Sequence, residues 1–105
     1  MSKYPLSRVR ADASATAREA LAYLESRSEA ILLHFDVDVT NFPAADLLHP
    51  NGLDLESTFA ALRVFVTAPT CAGVVVTEFN AEKDPDGAYA ERLVQGLVEV
   101  LGARL

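Results

Sequence analysis

The sequence contains a single cysteine, Cys71, among its 105 residues. One cysteine cannot form a disulfide within the chain, and an unpaired thiol in an apolar neighbourhood fits a reducing compartment. We therefore expect a cytoplasmic protein. A reactive-thiol role for Cys71 is disfavoured because the sequence offers the thiol no catalytic partner.

Long apolar runs and an excess of basic residues are also missing. No run approaches the ~20 residues of a membrane span, and residues 1–10 contain no apolar region of a secretory signal. Lys and Arg number 9 against 15 Asp and Glu, which gives a formal net charge of −6. Because no basic stripe is present to neutralise phosphates, we expect neither nucleic acid nor an anionic membrane as a partner.

Apolar residues make up 50% of the chain, enough for the core of one domain. Apolar runs typical of buried strands alternate with segments of helical spacing. Residues 3–7 are at best an edge strand, and a helix follows from a cap at Asp12 or Ser14 to about Arg27. The next elements are a strand over 31–40, a loop over 41–51 and a helix from Leu55 to about Thr67, capped by Asp54. The last two are a strand over 73–80 and a helix over 88–103. This (β)αβαβα order predicts an α/β fold with a parallel sheet, in which residues 1–105 form a single unit.

Such a sheet would be narrow. Its central strands read as buried on both faces, and strands of that kind do not lie at an open edge. The sequence therefore predicts a part of a wider sheet, or a chain that associates through the sheet edge.

Two aspartates, Asp36 and Asp38, follow the apolar start of the strand over 31–40. Side chains alternate along a strand, so His34, Asp36 and Asp38 are predicted to share one face. Two carboxylates this close need a compensating charge, and a metal ion is the simplest one. Glu78 ends the next strand, and parallel strands would bring all three acids to one edge, where open α/β sheets bind ligands.

The loop over 41–51 is long for a plain connection, which is typical of functional loops. It contains His49, a further candidate for facing a ligand.

Three segments carry distinctive motifs: HFDVD at 34–38, Gly52-Leu53 before a helix, and VVVTEFN at 74–80. In order and approximate spacing they resemble the S-F-D-x-D-x-x-D-P segment, the G-G-L-[ST] helix start and the [ED]-x-N-P strand end of the arginase/agmatinase ureohydrolases. The resemblance implies a three-layer α/β/α sandwich with a wide parallel sheet. It also implies hydrolysis of guanidino compounds with two Mn²⁺ ions.

The resemblance further implies roles for individual residues. Asp36 would match the aspartate that bridges the two ions, and Asp38 the aspartate that completes the shell of one ion. Glu78 would pair with the guanidinium of the substrate, because a carboxylate can accept two parallel N–H bonds from a planar cation. The implied reaction is attack of a manganese-activated hydroxide on the guanidinium carbon, which releases urea.

Departures from the family pattern limit these roles. Asn41 stands about where the family has a third aspartate, and His34 replaces a small hydroxyl residue; we assign both to supporting positions beside the ligands. The G-G-D-H and D-A-H-x-D segments of the family are absent, and two carboxylates cannot satisfy two Mn²⁺ ions. We therefore expect the C-terminal portion of a larger ureohydrolase domain, inactive by itself. An N-terminal half, or a homo-oligomer partner at the open sheet edge, would complete the site.

Two other interpretations stay open. Asp36-x-Asp38-x-Thr40 after an apolar strand also resembles the first motif of haloacid-dehalogenase-type phosphatases, with Asp36 as nucleophile, Asp38 as general acid and Lys83 as the lysine of a later motif. No Asp pair follows a later strand, and Glu78 would have no role there. The other alternative is a non-catalytic α/β module that binds a partner through its sheet edge.

Overall fold

The computed structural model describes residues 3–104. Its elements are α1 (Leu6–Ala11), α2 (Ala13–Glu25), β1 (Ile31–Asp36), a 3₁₀ turn (Val37–Val39), α3 (Leu55–Val66), β2 (Cys71–Thr77), a second 3₁₀ turn (Ala81–Lys83) and α4 (Ala88–Gly102). The predicted α/β class is confirmed, since β1 and β2 pair in parallel and α3 connects them.

The helices begin where side chains can accept the free N–H groups of the first turn. The Asp12 carboxylate accepts the Ala15 N–H at 2.9 Å, and the Asp54 carboxylate accepts the Ser57 N–H at 2.9 Å. Of the two caps predicted for α2, the structure therefore uses Asp12. Gly87, with φ of 76°, precedes α4 in the left-handed conformation that glycine adopts without steric cost.

The predicted edge strand in residues 3–7 is wrong. The chain turns into α1 directly after Pro5, whose carbonyl accepts the N–H groups of Arg8 at 3.0 Å and Val9 at 3.2 Å. Proline has a fixed φ and no N–H, which suits the start of a helix as well as an edge strand.

One face of the sheet is covered and contributes to the core. α3 lies in the helical layer, in contact with α2 on one side and α4 on the other, and it packs on β2. The buried core cluster consists of Phe35, Val37, Phe42, Ala44, Ala45, Leu55, Leu62, Val66, Leu93 and Val100. Loop residues 42–45 thus belong to the core, which fixes the segment that leaves the end of β1.

The other face of the sheet is open. Leu32 is 69% exposed and Val75 is 44% exposed, and the strand register puts both on the same side as His34. The prediction of strands buried on both faces is therefore not met, because nothing within residues 3–104 covers this side. Over the same residues, no helix has the length and apolarity to cross a bilayer.

Candidate functional site

The strand that carries the paired aspartates ends earlier than predicted. β1 stops at Asp36, whose carboxylate Oδ1 accepts the Asp38 N–H at 2.8 Å and turns the chain into the 3₁₀ turn 37–39. Aspartate side chains that bond to nearby backbone compete with regular structure in this way. Asp38 therefore lies on a turn beyond the strand, and the strand alternation predicted for His34, Asp36 and Asp38 holds only for the first two.

His34 lies on the open face of the sheet. Its Nε2 is 2.7 Å from the Thr77 hydroxyl on β2, and the register sets Asp36 opposite Thr77. His34 is exposed and lies outside the acidic cluster described next.

Three carboxylates converge where the two strands end. Asp38, Asp46 and Glu78 each offer an oxygen, and these oxygens lie within 4.8 Å of one another. Asp38 is half-buried, while Asp46 and Glu78 are exposed. The structure thus brings Asp38 and Glu78 together and adds Asp46, which sequence reasoning missed; Asp36 is not one of the three.

Glu78 reaches this position through an unusual backbone conformation. Its φ is 69°, the one positive value among non-glycine residues in the described chain. That conformation costs of order 1–3 kcal/mol for a residue with a side chain, so neighbouring contacts must maintain it. The Glu78 carbonyl accepts the Asp46 N–H at 2.8 Å, and the next residue, Phe79, forms an antiparallel bridge with Ala45.

Few groups balance the charge of the three acids. The Lys83 ammonium lies near the cluster and donates to the Asp46 carbonyl at 2.7 Å, but it forms no ion pair with the three carboxylates. The Leu47 N–H donates to Asp38 Oδ1 at 2.8 Å, and the Asn80 amide approaches Asp46 Oδ1 at 3.4 Å. Over residues 3–104 the ion pairs comprise only Arg8 with Glu19, far from the cluster in sequence. Two unit charges about 5 Å apart repel by about 1 kcal/mol in water and about 3 kcal/mol near a protein surface. A bound cation would remove that repulsion.

An open cleft borders one of the three acids, Asp38. It has a volume of about 350 Å³ and is lined by Asp38, His49 and neighbouring residues of the 49–52 segment. His49 therefore lies on the wall of the cleft that contains Asp38. Asn41 is exposed, and its N–H donates to the Leu53 carbonyl at 3.0 Å, which ties the loop to the segment before α3.

The donor set fits one divalent ion of the oxygen-preferring kind. Carboxylate oxygens suit Mg²⁺, Ca²⁺ and Mn²⁺, and Asp38, Asp46 and Glu78 present three such groups to one point. A centre of two ions requires more donors than this cluster contains.

Comparison with known proteins finds similar structures but no match in sequence. No family model matches the chain, and no curated protein matches it significantly in sequence. Among solved structures, formimidoylglutamase from Bacillus subtilis matches with a TM-score of 0.82 and 19% identity, over 95% of this chain and 32% of that one. Helicobacter pylori arginase matches with a TM-score of 0.81 and 16% identity, over 96% of this chain and 36% of that one.

A third match is formiminoglutamase from Trypanosoma cruzi in its oxidised form with Mn²⁺, at a TM-score of 0.65 and 18% identity, over 86% of this chain and 34% of that one. The chain therefore spans about a third of the length of these enzymes. Identities this low establish the fold alone. At that level the resemblance drawn from the motifs is confirmed, and the chain has the arginase-like α/β fold.

Proposed function

We propose that this chain contributes part of the active site of a manganese-dependent hydrolase of the ureohydrolase type, which cleaves a guanidino compound and releases urea. The observation that carries the proposal is the convergence of Asp38, Asp46 and Glu78 at the ends of two parallel strands. Two further facts support it: the fold is that of formimidoylglutamase and arginase, and one enzyme with this fold was solved with Mn²⁺.

In this proposal Asp38 and Asp46 hold the metal, with Asp36 beside them. Asp36 uses Oδ1 for the Asp38 N–H, which leaves its second carboxylate oxygen for a ligand or a water. Asp38 uses one oxygen for the Leu47 N–H, a bond that fixes the direction of its carboxylate. When bound, Mn²⁺ lowers the pKa of water, which is the chemistry that attack on a guanidinium carbon requires.

Glu78 is assigned to the substrate. Its carboxylate is exposed and lies beside the two aspartates, so a planar cation bound at the cluster can donate a forked pair of hydrogen bonds to it. The backbone conformation of Glu78, with φ of 69°, directs its carboxylate toward Asp38 and Asp46. His34 is assigned a supporting role, since its ring bonds Thr77 next to the strand end.

Further donors must come from outside the described residues, because one cluster of three carboxylates does not furnish two ions. We expect them from a polypeptide that adds strands at an open edge of the sheet, either the remaining part of the fold or a second copy. The exposed Leu32 and Val75 support this expectation, since large apolar side chains on the open face of the sheet favour association with further polypeptide. Sedimentation of the wild-type protein and of Leu32→Lys decides whether the further donors come from a second copy of this chain. Self-association of the wild type that Leu32→Lys abolishes indicates a second copy, whereas a monomeric wild type excludes one.

Manganese binding tests the proposed site directly. We expect the protein to bind Mn²⁺, measured as loss of the free-ion signal in electron paramagnetic resonance, and Asp38→Asn to weaken binding at least tenfold. Asparagine keeps an acceptor for the Leu47 N–H and removes the charge. Glu29→Gln is the matched control, because it removes one negative charge at an exposed position outside the cluster. Equal Mn²⁺ affinity in wild type and Asp38→Asn would refute the metal site and favour a non-catalytic module.

Glu78→Gln separates the metal role from the substrate role. We expect it to retain Mn²⁺ and to weaken binding of a guanidino compound, measured by calorimetry with the metal-loaded protein. A loss of Mn²⁺ as large as that of Asp38→Asn would place Glu78 among the metal ligands instead.

A further inference from the structure

We propose that Lys83 is a positioning residue, whose ammonium holds loop residues 44–46 in place so that the Asp46 carboxylate meets Asp38 and Glu78. The inference rests on the proposed function in one respect, namely that Asp38 and Asp46 bind a metal. Lys83 itself contacts neither the proposed metal nor the substrate. In the phosphatase alternative this residue would serve a phosphate, whereas here its amine is engaged with the loop backbone.

The Lys83 ammonium contacts the backbone carbonyls of two consecutive loop residues. Its Nζ donates to the Ala45 carbonyl at 3.0 Å and to the Asp46 carbonyl at 2.7 Å. Bonds from a charged donor at these lengths are roughly twice as strong as neutral ones. Two bonds from one ammonium to consecutive carbonyls fix the orientation of the backbone from which the Asp46 side chain projects.

The loop needs such an anchor. Residues 41–51 contain no helix or strand, yet Ala45 is fully buried and Asp46 must stay beside Glu78. A buried carbonyl that loses its donor costs about 1–3 kcal/mol, so removing the Lys83 ammonium favours a loop that moves to find water. Movement of the Ala45 carbonyl displaces Asp46, because the two residues share a peptide bond.

Backbone bonds complete the clamp from the opposite side. The Asp46 N–H donates to the Glu78 carbonyl at 2.8 Å, and the Asn80 N–H donates to the Ala44 carbonyl at 2.7 Å. Asp46 is therefore held through its N–H by the segment after β2 and through its carbonyl by Lys83. The two amides, of Asp46 and Asn80, report the integrity of the clamp without any metal present.

The sign of the effect on Mn²⁺ distinguishes positioning from simple electrostatics. Lys83 carries a positive charge close to the cluster, so removal of the charge alone would strengthen binding of a cation. Positioning predicts the opposite, since a displaced Asp46 withdraws one of the two carboxylates proposed to hold the metal. Loss of a group that orients a metal ligand typically reduces metal affinity by about 10–100-fold.

The test compares Lys83→Met with Lys83→Arg and with Arg92→Met. Arg92 is exposed on α4, so Arg92→Met removes the same charge away from the loop. We expect Lys83→Met to exchange the Asp46 and Asn80 amides at least tenfold faster in hydrogen-exchange NMR and to bind Mn²⁺ at least tenfold more weakly. Lys83→Arg should keep much of the amide protection and much of the Mn²⁺ affinity of wild type. Arg92→Met should match wild type in amide exchange. If Lys83→Met does not fold, Lys83→Gln, which keeps a neutral donor, replaces it in the same comparison.

Unchanged protection of the two amides in Lys83→Met, or an Mn²⁺ affinity equal to or higher than that of wild type, overturns the inference. Failure of the proposed function has a different signature, because wild type itself would then not bind Mn²⁺. In that case the amide exchange alone decides whether Lys83 positions the loop.

Discussion

Replacement of Gly52 by alanine tests how the segment before α3 is held against the turn that carries Asp38. A Cβ at residue 52 would lie 2.6 Å from both the carbonyl carbon and the carbonyl oxygen of Thr40, and 2.9 Å from the Asn41 nitrogen. All three are backbone atoms, so no side-chain rotation can relieve the contact. Ordinary contact begins near 3.4 Å, and the two segments would have to separate by about 0.8 Å.

That separation acts on bonds that join the two segments. The Leu53 N–H donates to the Val39 carbonyl and the Asn41 N–H donates to the Leu53 carbonyl, both at 3.0 Å. Overpacking costs about 1–3 kcal/mol, and each weakened bond adds about 0.5–1.5 kcal/mol. Alanine lowers the entropy of the unfolded chain, which returns up to about 1 kcal/mol. We therefore expect Gly52→Ala to reduce the free energy of unfolding by about 2–4 kcal/mol.

Thermal unfolding followed by circular dichroism measures this loss. For a domain of this size, 1 kcal/mol corresponds to about 4–8 °C, so Tm should fall by about 8–32 °C. Gly102→Ala is the matched control, because among the described residues no atom beyond the adjoining helix backbone lies within 4 Å of the added Cβ, and it should leave Tm unchanged or slightly raised. A Gly52→Ala protein as stable as the Gly102→Ala protein would show that the close approach of residue 52 to Thr40 does not exist.

Two further predictions concern helices. Gly96→Ala would place a Cβ 2.2 Å from the Phe59 ring between α3 and α4. We therefore expect the free energy of unfolding in urea to fall by about 1–2 kcal/mol, and we expect Gly96→Ala to have no such effect in a protein that already carries Phe59→Leu. A gain in stability, like that expected when an exposed helix glycine becomes alanine, would contradict this contact. The backbone N–H of Ser57, followed by the Ser57 hydroxyl, lowers the pKa of Asp54, so the capping contribution is present above about pH 4 and is lost as pH falls through the lowered value. Asp54→Asn should remove this part of the pH dependence of stability, and an unchanged profile would exclude the cap as its source.

Regular elements were predictable because local signals agreed with the fold. The caps Asp12 and Asp54, each followed by apolar residues at helical spacing, fix the starts of α2 and α3. The two apolar runs predicted as strands form β1 and β2, and few other segments of the sequence could have formed the sheet. The N-terminal segment failed because Pro5 fits a helix start as well as an edge strand, and nothing else in residues 3–7 favours either one.

The site was predictable only where it follows directly from the strands. Asp38 and Glu78 lie just beyond the ends of β1 and β2, so parallel pairing alone brings them near each other. Asp46 lies in a loop, and its position depends on bonds to residues more than 30 positions later, including Lys83. No periodicity or spacing in the sequence encodes such a contact, and a single aspartate in an irregular loop gives no sign of it.

The convergence of the three carboxylates requires two interruptions of regular structure, one at the end of each strand. If β1 continued through Asp38, that side chain would point along the sheet face occupied by His34; the bond from the Asp38 N–H to Asp36 ends the strand instead. If Glu78 kept an extended conformation, it would continue β2; its positive φ redirects the chain toward Asp46. Backbone strain of this kind persists only where surrounding contacts over-determine it. Because those contacts are the ones that hold Asp46, the strained residue and the clamped loop must form together, and loosening either should disperse the cluster.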